Sequence, residues 1–247
     1  MGNKVINTTS VKLGIYETST DTQLEGMLGD VKELEDGRKF RLCMNSTAAA
    51  LVPGKVVQGP ATNTYDENIA IGTASVGDTT LDVTVHASYG ATVAANDFKD
   101  GFFCVSAGSG ELGHGRKIKE NTAAVVGADT TLTFYDALTD VITGSSTGQW
   151  IKNQYRKVVI DAGTAAAVGV PVCDVAASTS TVPVFFWAQT LGACPIVSGG
   201  ALVAGDEVET SSGTAVVTNG ATDATIGIAM QTCTDSGDVG FVKLNLE

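Results

Sequence analysis

Histidine is almost missing from this sequence: His86 and His114 are the two in 247 residues. A Ser-His-Asp centre needs a histidine between a nucleophile and a carboxylate, and no GxSxG elbow accompanies either one. Cysteine is sparse too. The five residues Cys43, Cys104, Cys173, Cys194 and Cys233 are odd in number, widely spaced and without a CxxC. That pattern excludes a secreted disulfide framework and a zinc site, and leaves small buried hydrophobes in a reducing compartment. Positive charge is short: 15 Lys and Arg stand against 27 Asp and Glu, a formal net charge of −12. A chain of that sign repels phosphate, which argues against nucleic-acid and anionic-membrane partners. Two small basic groups, Arg116-Lys117-Lys119 and Lys152-Arg156-Lys157, read as solvated strand faces, with a local acidic partner as the functional alternative. Long apolar runs are lacking. The longest, residues 182–197, holds two prolines with Gln189 and Thr190 and is too short and broken to span a bilayer. The first ten residues have no apolar core of a signal peptide, and Ile6 stands where a myristoylation motif wants Ser or Thr. A soluble protein made in a cytosol is expected.

What is present is β texture. There are 29 glycines, and short apolar runs alternate with Gly, Asp, Asn, Ser and Thr. Strands fit runs of that length and turns fit that punctuation. The expected fold is all-β, a barrel or sandwich core with an inserted small β-rich unit and an extended N-terminal arm. Residues 1–36 form the arm and a first turn or strand. Residues 37–60 and 154–247 form a discontinuous core, and 61–153 an inserted unit. Residues 184–246 are the most regular stretch, and the rest of the chain elaborates on it.

Within the arm, Val11, Leu13 and Ile15 alternate with Lys12 and Gly14, and Tyr16 follows, so one apolar face is available to lie on a partner. Asp36-Gly37 and Asp100-Gly101 read as tight hairpin turns. Phe40, Leu42 and Met44 line one face of a strand, as do Leu81, Val83 and Val85. Residues 91–100 read as a helical turn, residues 137–142 as the best helical turn of the region, and Pro171 marks an edge strand. The pattern A-L-V-x-G-x-x-V occurs twice, at 50–57 and 201–208. Its structural reading is two copies of a unit that reaches an edge, turns at Gly and enters a strand.

Candidate chemistry is thin. The loop at 108–115 contains a literal GxGxxG, but that motif grips pyrophosphate only where a strand feeds a helix N-terminus. The RKIKEN that follows alternates like a strand, and Glu111 would sit against the phosphate, so a glycine hairpin loop is expected. His114 with Glu111 is a poor metal pair, and the Asp- and Gly-rich turns lack an EF-hand ligand ladder. No catalytic residue, metal or cofactor is assigned. In the cluster at 185–187, Phe185 and Trp187 point one way and Phe186 the other. Phe185, Phe186, Trp187 and Gln189 are therefore the candidate subunit interface.

The order of these elements resembles the head decoration, or cement, proteins of tailed bacteriophages, including the capsid-fibre type. The resemblance rests on DGRKFRLCMNSTAAALVPGKVVQGP, FKDGFFCVSAGSGELGHGRKIKEN, YRKVVI, GVPV, FFWAQTLGACPIV, ALVAGDEVETSSGTAVV, TIGIAM and GFVKLNLE, in that order. Most weight falls on the succession GD-x-V, G-A/T-x-V, IG-x-A and V-x-L after residue 201. The resemblance implies a non-enzymatic all-β protein, usually trimeric, that sits on the outer capsid surface and reinforces it. The major capsid protein is then the partner, and Val11, Leu13, Ile15 and Tyr16 the candidate shell-contacting arm. The alternative is a tail-fibre, baseplate or adhesin-type β module that recognises a host glycan.

Overall fold

The structure is a computed structural model describing residues 5–7 (backbone only), 12–22, 26–218 and 225–247. It is all-β. Among the described residues there is no α-helix, and the 3-10 turn Thr64–Asp66 is capped by Asn63. The strands, in chain order, open with β1 (Val5–Asn7), β2 (Val31–Leu34), β3 (Lys39–Met44) and β4 (Val57–Gln58). β5 (Ile69–Ala70), β6 (Thr80–Thr84), β7 (Phe102–Ala107), β8 (Arg116–Asn121), β9 (Asp129–Phe134) and β10 (Thr147–Ile151) follow. The last seven are β11 (Val159–Ile160), β12 (Ala167–Pro171), β13 (Phe185–Val197), β14 (Glu207–Ser211), β15 (Thr214–Val217), β16 (Thr225–Ala229) and β17 (Val239–Asn245). The chain divides into two compact units, residues 1–61 with 154–247, and residues 62–153.

The first unit is built on β13. Its sheet runs β1-β2-β3-β13-β17-β16-β14-β15, with β12 beside β13 and β4, and β4 beside β11. At 13 residues, β13 is long enough to take one partner along its first half and another along its second. Phe185 to Leu191 pair with β3, and Leu191 to Val197 pair with β17. The hand-over falls at a bulge between Gln189 and Leu191. Bulges bend a strand and raise its twist, and here the bend turns the second half of β13 into a small barrel. That barrel curls back on itself through a Ser198–Ala215 bridge.

Alternation along β13 distributes its side chains among three cores. Phe186 and Ala188 enter one with Cys43, Leu51, Val57 and Val184. Trp187 enters a second with Leu13, Leu34, Phe40 and Leu42. Cys194 and Ile196 enter a third with Val208, Ile226, Val242 and Leu244. The opposite senses of Phe186 and Trp187 follow from the two-residue period of a strand.

The echoed octapeptides share local structure. Leu51 and Leu202 are buried and bridge to Val175 and Cys233. Gly54 and Gly205 then turn at φ +79 and +96, and Val57 and Val208 are fully buried in the strands that follow.

The second unit is a nearly closed six-stranded barrel in the order β5-β10-β7-β8-β9-β6. An Ile71–Val83 bridge and a hydrogen bond from the Gly72 amide to the Asp82 carbonyl at 2.8 Å bring its ends together. Phe98, Phe103, Ile118, Leu132, Phe134 and Trp150 fill it.

Four local expectations are corrected. Residues 137–142 form no helical turn: Leu138 and Ile142 have helical spacing, yet their amides bond to the Asp78 and Ala74 carbonyls and both side chains enter the barrel. Residues 91–100 form no helical turn either: Val93 bridges to Ala124 and 95–100 are successive turns. Asp100-Gly101 leads into β7 without closing a hairpin, since β7 pairs only with β10 and β8. Pro171 does not mark an edge. β12 lies between β4 and β13, and the proline is its last residue, opposite Ala188 of β13 and past the β4 pairing, which ends at Gly169.

Candidate functional site

The glycine loop at 108–115 is organised around a carboxylate of its own. Glu111 has φ +52 and is 2% exposed. Its Oε2 accepts from Arg116 Nε at 2.7 Å and Nη2 at 2.6 Å. Its Oε1 accepts from the Thr139 amide and hydroxyl and from the Asp140 amide at 2.8 Å. Burial alone would raise the carboxyl's pKa, but the guanidinium and the amides outweigh it and hold Glu111 at about 2. The donors that a phosphate would need are taken by a side chain. His114, 3.3 Å from the same carboxylate, lies outside on a 57% exposed side chain. The other histidine, His86, stacks on Tyr65 at 4.3 Å. Among the described residues no three His, Cys, Asp or Glu side chains converge to hold a metal. The basic residues are tied locally: Arg116 to Glu111, and Lys152 to Asp97 at 3.1 Å.

Phe186, Trp187 and Gln189 are all fully buried within their own chain, and Phe185 is half-buried against the Trp187 cluster. Gln189 spans the bulge that redirects β13. Its Nε2 donates to the carbonyls of Leu191 at 3.1 Å and Ala193 at 2.9 Å. Phe186, Trp187 and Gln189 are core and brace and have no free surface to offer a second subunit, while Phe185 keeps part of its ring exposed.

The candidate arm is accounted for similarly. Leu13 is buried and Ile15 packs beside it, and the Leu13 carbonyl accepts from Trp187 Nε1 at 3.0 Å and from Lys32 Nζ. Ser19 pairs with Phe185 through two backbone bonds. Tyr16 points outward, 62% exposed, and Val11 lies outside the described residues.

Two surfaces escaped the sequence reading. The first is a groove of about 450 Å³ on the second unit. Phe102 and Ile151, opposite each other on β7 and β10, form its apolar shelf, with Cys104 and Gln149 opposite each other beyond them. Thr62, Thr64 and Glu67 form the facing wall. That wall is fixed by Asp66, whose Oδ1 accepts from Trp150 Nε1 at 2.7 Å and Tyr89 OH at 2.9 Å. Burial, then the adjacent Asp66 charge, pushes the Tyr89 phenol up. Alternation in FFCVSA placed Phe102 and Cys104 on one face but could not say that the face stays open.

The second surface is the outside of β16 and β17. Ile228, Met230, Val239 and Phe241 are 46–57% exposed on these neighbouring strands. GFVKLNL shows the inward set Val242 and Leu244 clearly, while Val239 and Phe241 on the outward set contradict a simple apolar-in, polar-out rule.

No protein-family model matches the chain, and comparisons with curated proteins and with solved structures find no match to either.

Proposed function

We propose that this chain is a non-enzymatic capsid decoration protein that assembles with copies of itself and binds the outer face of a tailed-phage head, with the major capsid protein as its partner. The observation that carries the reading is the exposed apolar face of β16 and β17. A large apolar patch on a well-packed barrel marks an interaction surface. The succession after residue 201 that weighs most in the resemblance to decoration proteins runs through β14 to β17, and the acidic balance keeps the chain soluble until it meets a shell. β13, shared by three cores, makes a stiff platform for such a load. The test is co-sedimentation with purified, undecorated shells. Saturable binding at a fixed ratio to the major capsid protein supports the reading, and a chain left in the supernatant overturns it.

The groove on the second unit favours a second reading, a glycan-binding module. Its apolar shelf suits the C–H face of a sugar ring, and Gln149, Thr62, Thr64 and Glu67 offer hydrogen-bonding groups beside it. Saturation-transfer NMR with methyl glycosides of glucose, galactose, mannose and N-acetylglucosamine tests it. Transfer abolished by Phe102→Ala supports a sugar site, and no transfer from any of the four removes it.

A further inference from the structure

The exposed face of the C-terminal barrel has an internal order. Glu207 on β14 is opposite Ile228 on β16, which is opposite Lys243 on β17. Directly opposed residues share a face of a sheet, and all three are exposed. One step along, Met230 donates its amide to the Phe241 carbonyl at 2.8 Å, and Phe241 is opposite Pro195. Neither the Glu207 carboxylate nor the Lys243 ammonium has a partner among the described residues. The face is thus an apolar strip along β16 with one negative charge on its β14 flank and one positive charge on its β17 flank.

We infer that this face binds a second copy of the same chain about a two-fold axis running along β16. Neighbouring strands are about 4.8 Å apart, so β14 and β17 flank β16 evenly. A half-turn about an axis in the interface along β16 exchanges the flanks. It sets Glu207 of each copy over Lys243 of the other, while Ile228 and Met230 meet their own counterparts and Phe241 packs beside them. A two-fold contact must be self-complementary in this way. Charge selects the occupant. The chain carries −12, so most pairings of its surfaces bring like charges together. This face is neutral, and its two charges are placed to be exchanged. The inference deepens the self-assembly in the reading above and rests on that part of it alone; it does not depend on the capsid.

Sedimentation velocity of the full chain at about 1–100 µM, with and without substitutions, tests it. The wild-type chain should associate with rising concentration. Met230→Asp should weaken association at least about tenfold, as burial of an unpaired charge at an interface centre does. Glu207→Lys and Lys243→Glu should each weaken it, and the double charge exchange should restore it. Should Met230→Asp lower the melting temperature, the charge pair decides alone, since both residues are exposed. A wild-type chain that stays monomeric at 100 µM overturns the inference, as does association indifferent to the charge reversals or not restored by the exchange. Shell binding is measured separately, so association without shell binding refutes the capsid reading and leaves this contact standing.

Discussion

The indole N–H of Trp187 donates to the carbonyl of Leu13 at 3.0 Å, from a ring with no exposed surface. This bond, with the Ser19–Phe185 pairing, holds the segment around residues 12–22 to the start of β13. The apolar alternation there is used within the chain. Trp187→Phe keeps a ring but loses the donor and part of the volume. It should cost about 2–4 kcal/mol in urea unfolding and speed proteolysis within 12–22. Cleavage at the wild-type rate would show that the segment is held by something else.

Gln189 braces the bulge at which β13 changes partner. Gln189→Ala leaves the carbonyls of Leu191 and Ala193 without their side-chain donor. A loss of about 2–3 kcal/mol is expected, with hydrogen exchange rising in residues 189–193 ahead of the rest of the sheet. Uniform exchange along β13 would contradict the brace.

Glu111 makes the second unit acid-sensitive. Its folded pKa of about 2 lies below the ordinary 4.5. A depressed carboxyl contributes stability above its unfolded pKa and loses it as pH falls through the folded one. The contribution is therefore full above about pH 5 and fades toward pH 2, by at most about 3 kcal/mol. Glu111→Gln should be less stable at pH 7, and its disadvantage should shrink between pH 5 and 2. A difference constant across that window would show that the carboxylate's charge is irrelevant.

The two inner glycines of the same loop should behave differently. Gly110 and Gly113 both have φ +76, but a Cβ at Gly110 would collide with the Val141 carbonyl while Gly113 faces open space. Gly113→Ala should cost about 1 kcal/mol for the backbone conformation alone. Gly110→Ala should cost more than about 2 kcal/mol. Equal losses would mean that the close approach carries no weight.

Thiol reactivity should map the cores. Burial pushes the Cys194 thiol up to about 12 and raises Cys43 and Cys173 as well, and Cys43, Cys194 and Cys233 are buried. Cys104, in the groove, and Cys173 are the two half-buried thiols, and burial, then the Asp174 charge, disfavours the Cys173 thiolate. Ellman's reagent at pH 8 should titrate Cys104 first in the native protein and all five thiols after unfolding. Early reaction at Cys43 or Cys194 would contradict the packing.

The all-β class was legible because strand alternation is written directly into KFRLCM and TLDVT, whose buried positions match the expected faces except at Cys43, which is buried on the opposite face of β3 in the core with Phe186. The turn at Gly37, with φ +82, was legible from Asp-Gly. The site was much less so. Alternation tells which residues share a face, not which face is covered. Phe185, Phe186 and Trp187 looked like surplus apolar surface because the sequence does not show that β13 lies between cores. The helical turns expected at 91–100 and 137–142 failed because long-range bridges, Val93 to Ala124 and Ala74 to Ile142, override local spacing. The Phe102 groove depends on a cross-strand pairing of residues some 50 positions apart, beyond the reach of any local pattern.

A cryo-EM map of particles carrying this chain tests the functional account most directly. The account predicts its density on the outer head surface, repeated across the capsid lattice in hundreds of copies. Density confined to the tail or baseplate in a few copies, or absent from the particle, would contradict it.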